Sequence, residues 1–224
     1  MGGVTSSPGL TALAERAIAL LPHGGRAIVG VAGSPGSGKT TLARAVARRV
    51  NELAGDGTAV HLPMDGFHLA NATLDALGRH DRKGAIDTFD GWGFAALLER
   101  VLTETANPVY APAFERTVDE PVAGSIAVEP GTRLVVVEGN YLLVDAAPWT
   151  RIPPLLAESW FVSTPEHERM RRLVDRHTRH GRTPEAATAW ARDVDGANAV
   201  LIEASRPRAD LVVDGTTGLP AAGA

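Results

Sequence analysis

The chain has no cysteine, which excludes disulfides, a thiolate zinc site and a thiol nucleophile. Lysine is almost absent too. Only Lys39 and Lys83 occur, and nearly all other cationic residues are arginine. A chain so biased towards arginine can keep lysine where a flexible point charge is needed, which draws attention to both positions. No apolar run approaches the ~20 residues that a membrane-spanning helix needs. A basic surplus is also lacking: the net charge is −4 and the pI near 6.0, which argues against a nucleic-acid partner. The start, Met1-Gly2-Gly3-Val4-Thr5-Ser6-Ser7, has no basic region followed by an apolar core, so no secretory signal is expected. The expectation is a cytoplasmic protein without a membrane partner. With 224 residues and 44% hydrophobic content, it is expected to be one domain, 1–224.

What is present centres on Gly33-Ser34-Pro35-Gly36-Ser37-Gly38-Lys39-Thr40, which fits G-x-x-x-x-G-K-[ST]. Ala27 to Ala32 before it reads as a buried strand. Thr41 to Val50 after it reads as a helix with Leu42, Val46 and Val50 on one face. Gly33, Gly36 and Gly38 let the backbone bring N–H groups close to an anion, and the helix N-terminus favours negative charge. Lys39 can reach β- and γ-phosphates, and the Thr40 hydroxyl can bind Mg²⁺. Nucleotide binding is the expectation.

Other segments add candidates. Ser7 and Pro8 cap and open a helix expected to run over about 8–21. Thr58 to Met64 reads as a second strand that delivers Asp65-Gly66-Phe67-His68. An acid at the C-terminal end of such a strand sits where ligands bind, and Asp65 can take a proton from a hydroxyl or help hold Mg²⁺. Alternatively it is a turn acid. Asn71 to Asp90 reads as an irregular polar stretch whose cluster Arg79 to Gly84 either binds a polar acceptor or is a solvated loop. Thr88 or Asp90 caps a helix over Trp92 to Thr105. Val109 to Arg116 is extended with a break at Pro112, and pairs with Ser125 to Val128; Tyr110, Phe114 and Arg116 line an acceptor pocket or belong to the core. Leu134 to Val137 reads as a central parallel strand ending in Glu138, which either contacts Mg²⁺ or forms a structural ion pair.

Trp160 to Ser163 reads as a strand, and Thr164-Pro165-Glu166 as the cap and start of a helix rich in arginine. Pro184 opens another helix to about Glu203. Together they are expected to form a closing lid over about 176–190, with two or three of Arg176, Arg179 and Arg182 on a transferring phosphoryl group. Ala209 to Asp214 is a last strand, followed by a disordered tail over about 216–224.

In this order, the motifs Gly33 to Thr41, Met64-Asp65-Gly66-Phe67-His68, Arg82-Lys83-Gly84 with Thr88-Phe89-Asp90, Tyr110 to Phe114, Val137-Glu138-Gly139-Asn140 and Arg206 to Asp210 are specific. Over about residues 26–214 the chain resembles the phosphate-loop kinases that include type I pantothenate kinase, uridine kinase and phosphoribulokinase. Among these it looks like the bacterial nucleoside/nucleotide kinase-like proteins. The resemblance implies an α/β fold: a P-loop NTPase three-layer sandwich with a mainly parallel five-stranded sheet and a helical Arg-rich lid. It implies ATP and Mg²⁺ as cofactors, with Gly33, Ser34, Gly36, Ser37, Gly38, Lys39, Thr40, Thr41 and Arg208 on the nucleotide and Thr40 and Glu138 near the metal. Asp65 would act as base, with Lys39, Arg176 and Arg179 beside it. A small-molecule acceptor would meet Asp65, His68, Arg82, Lys83, Tyr110, Phe114, Arg116, Glu138 and Asn140. The Tyr110 segment lacks the His that uridine kinases tend to carry there, and the chain is shorter than typical pantothenate kinases, which counts against either acceptor. A nucleotide-binding regulator with little or no kinase activity is the rival reading, although no N-K-x-D guanine motif is present. Oligomeric state stays open, with a homodimer as one alternative.

Overall fold

The computed structural model describes residues 8–221, so the capping role expected of Ser7 lies outside the described residues. Its centre is a parallel five-stranded sheet in the order β2-β5-β1-β6-β7. The strands are β1 (Ala27–Ala32), β2 (Ala59–Pro63), β5 (Leu134–Gly139), β6 (Glu158–Ser163) and β7 (Leu211–Asp214). β1 and β5 are buried along their whole length, as near-continuous Ile, Val and Leu runs dictate for strands covered on both faces.

Alternation along each strand builds two cores. Ala27, Val29, Val31, Leu134 and Val136 face one side, where α1 (Pro8–Ala19) and α2 (Lys39–Ala54) place Leu10, Leu13, Leu42 and Val46 against them. Ile28, Val135 and Val137 face the other side, against Phe94 and Leu98 of α4 (Gly91–Thr103) and the buried Tyr141 and Trp149. The result is the three-layer sandwich expected. The Asp90 carboxylate accepts from Gly93 N at 2.8 Å and caps α4, as its position predicts.

Register fixes the site. In β5, Glu138 pairs with Val31 on one side and with Pro63 on the other. The phosphate loop after β1, the turn Met64–Phe67 after β2 and the end of β5 therefore meet at the C-terminal edge of the sheet. A separate antiparallel pair, β3 (Val109–Glu115) and β4 (Glu120–Val128), matches Val109 with Val128 and shifts register between Ala111 and Ala113, around Pro112. It rests on the Asp65 turn so closely that any side chain at Gly66 would collide with the Pro112 backbone.

Several boundaries differ from expectation for identifiable reasons. Asn71 to Asp90 is less irregular than its polarity suggests: it contains α3 (Asn71–Ala76) and short 3₁₀ turns at His80–Arg82 and Ile86–Thr88. Thr164 does not cap α5 (Glu166–Arg179). Pro165 takes the cap position, and the Thr164 hydroxyl donates instead to the Ser37 carbonyl at 2.9 Å. The helix expected from Pro184 to Glu203 is α6 (Pro184–Trp190) and α7 (Gly196–Glu203), joined by a wider π-type turn at Ala191–Asp195. Of the tail expected over about 216–224, residues 222–224 lie outside the described residues, and the part up to 221 makes backbone contacts. Asp214 accepts from the N–H groups of Thr216 and Thr217, Val213 bridges to Pro220, and Ala221 N donates to Val212 O. Among the described residues no helix is long and apolar enough to cross a membrane.

Candidate active site

The phosphate loop presents bare donors. Gly36 and Gly38 adopt φ of 78° and 95°, values that side chains rarely tolerate. Gly38 is the N-cap of α2 and offers no side-chain cap. Leu42 N donates to Gly38 O, so the N–H groups of Lys39, Thr40 and Thr41 precede any helical acceptor. The loop's carbonyls are engaged on the protein side. Arg172 Nη1 donates to Gly36 O at 3.3 Å and Ser37 O at 3.2 Å, and Arg169 Nη1 lies 3.5 Å from Pro35 O. The Ser34 hydroxyl donates to Glu203 Oε1 at 2.5 Å, tying the loop to the end of α7. Ser37 Oγ is buried without a partner. Uncapped N–H groups, a local dipole and an unmatched buried hydroxyl suit an anion.

Beside the loop lies a cavity of about 490 Å³. Lys39, Thr40, Asp65, His68, Lys83, Phe114, Arg116, Asn140 and Arg176, all singled out from the sequence, line it. Burial pushes the Lys39 ammonium below its ordinary value, and the charges of Glu138 and Asp65 offset part of that. Burial opposes ionisation of Asp65, yet the charges of His68, Lys39, Arg116 and Arg176 outweigh it, so its pKa falls below the usual carboxylate value. Asp65 is therefore a carboxylate at neutral pH. His68 Nδ1 lies 2.8 Å from the Asp65 carbonyl, which can only accept, so Nδ1 carries the proton. Burial lowers the pKa of His68 from 6.5 despite the attraction of Asp65, so its neutral form dominates at pH 7. Its ring packs 4.0 Å from Phe89 and 4.8 Å from Phe114.

Other candidates fall elsewhere. Glu138 is buried with His61 Nε2 3.7 Å away and is not part of the cavity wall; it acts on the site through the charge of Lys39. Arg179, expected on the phosphoryl group, is two-thirds exposed and pairs with Asp175, one helical turn back. Arg82 pairs with Asp87 at 2.7 Å rather than facing the acceptor. Arg208 pairs with Asp145 at 2.7 Å and donates to Leu143 O at 3.2 Å. Tyr110 is 59% exposed on the hairpin, and Thr41 is exposed on α2; neither lines the cavity. Lys83 does line it, but its ammonium is committed to Asn71 Oδ1 at 2.6 Å and to Asp119 O and Oδ2 at 2.5 and 2.8 Å.

Sequence reasoning missed Asp195, which lines the cavity from the π-type turn and accepts a 2.8 Å contact from His177 Nε2. It also missed Trp190, over whose ring Arg182 lies at 3.9 Å, and the grip of Arg169 and Arg172 on the loop. Helical spacing holds a usable signal: at about 100° per residue, Arg169 and Arg176 fall within about 20° of each other, and Arg171 lies on the opposite face.

The model of the Phosphoribulokinase / Uridine kinase family matches residues 28–217. A candidate uridine kinase of Schizosaccharomyces pombe is 33% identical over 207 residues, 90% of this chain and 88% of that protein. The crystal structure of a candidate fructose transport system kinase from Silicibacter sp. TM1040 superposes with a TM-score of 0.83 at 39% identity, covering 91% of this chain and 98% of that one. YFH7 from Saccharomyces cerevisiae shares the fold at 20% identity, with a TM-score of 0.78 and coverage of 92% and 98%.

Proposed function

Because the chain belongs to the phosphoribulokinase/uridine kinase family, we propose that it is an ATP-dependent kinase that phosphorylates a hydroxyl of a small molecule. The observation that supports this best is one cavity that combines three things: Lys39 at the uncapped N-terminus of α2, an ionised Asp65, and Arg176 with no hydrogen bond or ion pair to its guanidinium among the described residues.

The phosphate loop suits ATP: N–H groups of Lys39, Thr40 and Thr41 and the Lys39 ammonium would hold its phosphates. Thr40, with Glu138 nearby in charge, would hold Mg²⁺, which when bound neutralises phosphate charge. Asp65 orients the acceptor hydroxyl and takes its proton. The hydroxyl oxygen forms a bond to the γ-phosphorus, the bond from that phosphorus to the bridging oxygen breaks, and ADP leaves with the electron pair. Arg176 meets the charge that spreads over the transferring group. Positioning and electrostatics carry most of the acceleration. Arg176 and His177 of α5, Trp190 of α6 and Asp195 of the π-type turn form part of the cavity wall, and cover of this kind limits water and hence wasteful hydrolysis.

The test is ADP formation with Mg·ATP, with and without nucleosides, sugars and hydroxy acids, with the product identified by ³¹P NMR. A compound that raises turnover well above background and gains a phosphate supports a kinase. ATP binding with no stimulation by any compound would favour the regulatory reading.

A further inference from the structure

The acceptor end of the cavity has both hydrogen-bond acceptors and a cation to spare. One acceptor is the Asp65 carboxylate. The other is His68 Nε2, which bears a lone pair because the proton sits on Nδ1 and which has no hydrogen bond to the protein among the described residues. Both residues line the same cavity, and such acceptors recognise O–H groups. The cation is Arg116, the first residue beyond β3. Among the described residues no hydrogen bond or ion pair occupies it, yet its charge is felt by both Asp65 and Arg176. Lys83 cannot serve in its place, because Asn71 and Asp119 hold its ammonium.

The aromatic side of the wall points the same way. A nucleobase acceptor wants an open ring to stack on. Phe89 packs on His68, Phe114 is contacted by both His68 and the Lys83 ammonium at 5.0 Å, and Trp190 is covered by Arg182 at 3.9 Å. Every ring of the wall is thus engaged within the protein. With Lys39 and Arg176 assigned to the phosphate donor and Arg182 stacked on Trp190, Arg116 is left as the cation of the wall with no partner at the acceptor's end.

Resting on the kinase reading above, we infer that the acceptor is a small polyhydroxylated anion, whose carboxylate or phosphate is bound by Arg116 while its hydroxyls meet Asp65 and His68. A planar guanidinium matches either anion through paired hydrogen bonds, and a neutral analogue would leave it unmatched.

The experiment compares matched acceptors with Mg·ATP: D-glycerate and D-gluconate as acids, fructose 1-phosphate and ribulose 5-phosphate as phosphates, and glycerol, fructose and uridine as neutral controls. ADP and phosphorylated product are both measured. The expected result is that one anionic arm exceeds its neutral counterparts in kcat/KM by at least about 30-fold, and the winning arm tells carboxylate from phosphate. Arg116→Met should then raise the acceptor KM by about 30-fold with a much smaller change in kcat, and Arg116→Lys should recover part of the loss. Arg116 is exposed, so neither change threatens the fold. Turnover of uridine or a neutral polyol with equal or greater kcat/KM, or an acceptor KM unmoved by Arg116→Met, overturns the inference and leaves the kinase standing. No turnover with any compound counts against the kinase reading itself, and the inference falls with it.

Discussion

Replacing Arg176 by Met should separate activity from stability. Burial pushes the Arg176 guanidinium below its ordinary pKa, Asp195 and Asp65 attract it, and Arg116 repels it. No hydrogen bond or ion pair to the guanidinium occurs among the described residues, so the fold holds this charge against a desolvation cost. Methionine keeps much of the length without the charge. No acid is orphaned by the change: Asp195 keeps its 2.8 Å contact with His177, and Asp65 keeps the charges of Lys39 and Arg116. Relief of about 1 kcal/mol corresponds to a rise of about 2–4 °C in Tm for a chain of this size. Activity should move the other way, with kcat down by about 10²–10³-fold, because a positioned cation at the transferring group is lost. Arg179→Met is the internal control. Its pair with Asp175 is exposed on both sides and contributes at most about 0.5 kcal/mol, so kcat and Tm should stay near wild type. Thermal unfolding and a coupled ADP assay read both variants. Equal losses of activity in the two, or a Tm drop of more than about 4 °C in Arg176→Met, would refute the reasoning.

Two further outcomes follow from buried charges away from the transfer step or beside it. Arg26 is 6% exposed and donates to the carbonyls of Thr132, Val101 and Glu129 at 2.9, 2.9 and 2.7 Å, and to that of Glu104. Arg26→Met strands those carbonyls and should destabilise the protein by about 3–5 kcal/mol, a Tm loss of roughly 10 °C, without changing turnover at low temperature. His68 is held neutral by burial, so its folded pKa lies below the unfolded 6.5. Between those values the unfolded chain binds more protons, and stability therefore falls as pH drops through 6.5, by at most about 1.4 kcal/mol per pH unit. Urea unfolding at pH 7.5 and 5.5 should show a smaller acid loss in His68→Phe than in wild type; an equal loss places the acid sensitivity elsewhere.

The sheet was legible because its strands are runs of Val, Leu and Ile bounded by turn residues, and because Gly33 to Thr40 fixes one strand–loop–helix unit by motif. Residues in or just after the loops that follow strands, Lys39, Asp65 and Arg116 among them, line the cavity. Residues on long helices were harder, since composition alone does not say which arginine of α5 turns inward. The Asp175–Arg179 spacing and the shared face of Arg169 and Arg176 hold that information. Lys83 shows another limit: its rarity drew attention to it, but its partners Asn71 and Asp119 come from α3 and the hairpin turn, which no local pattern links. Asp195 sits on a π-type turn inside a helical run, where the 3.6-residue period fails and the side chain is re-aimed. Towards the C-terminus the Gly, Pro and Ala content hides the pairing of Val213 with Pro220.

The most direct test of the account is acceptor-dependent ADP formation by Asp65→Asn at saturating Mg·ATP, alongside its ATP affinity. The amide keeps the shape of the side chain and removes its ability to take a proton. The account predicts a loss of at least about 10²-fold in turnover with ATP affinity changed by less than about 3-fold. Turnover that survives the substitution would contradict it, because the proton of the acceptor hydroxyl would then be leaving by a route that does not pass through Asp65.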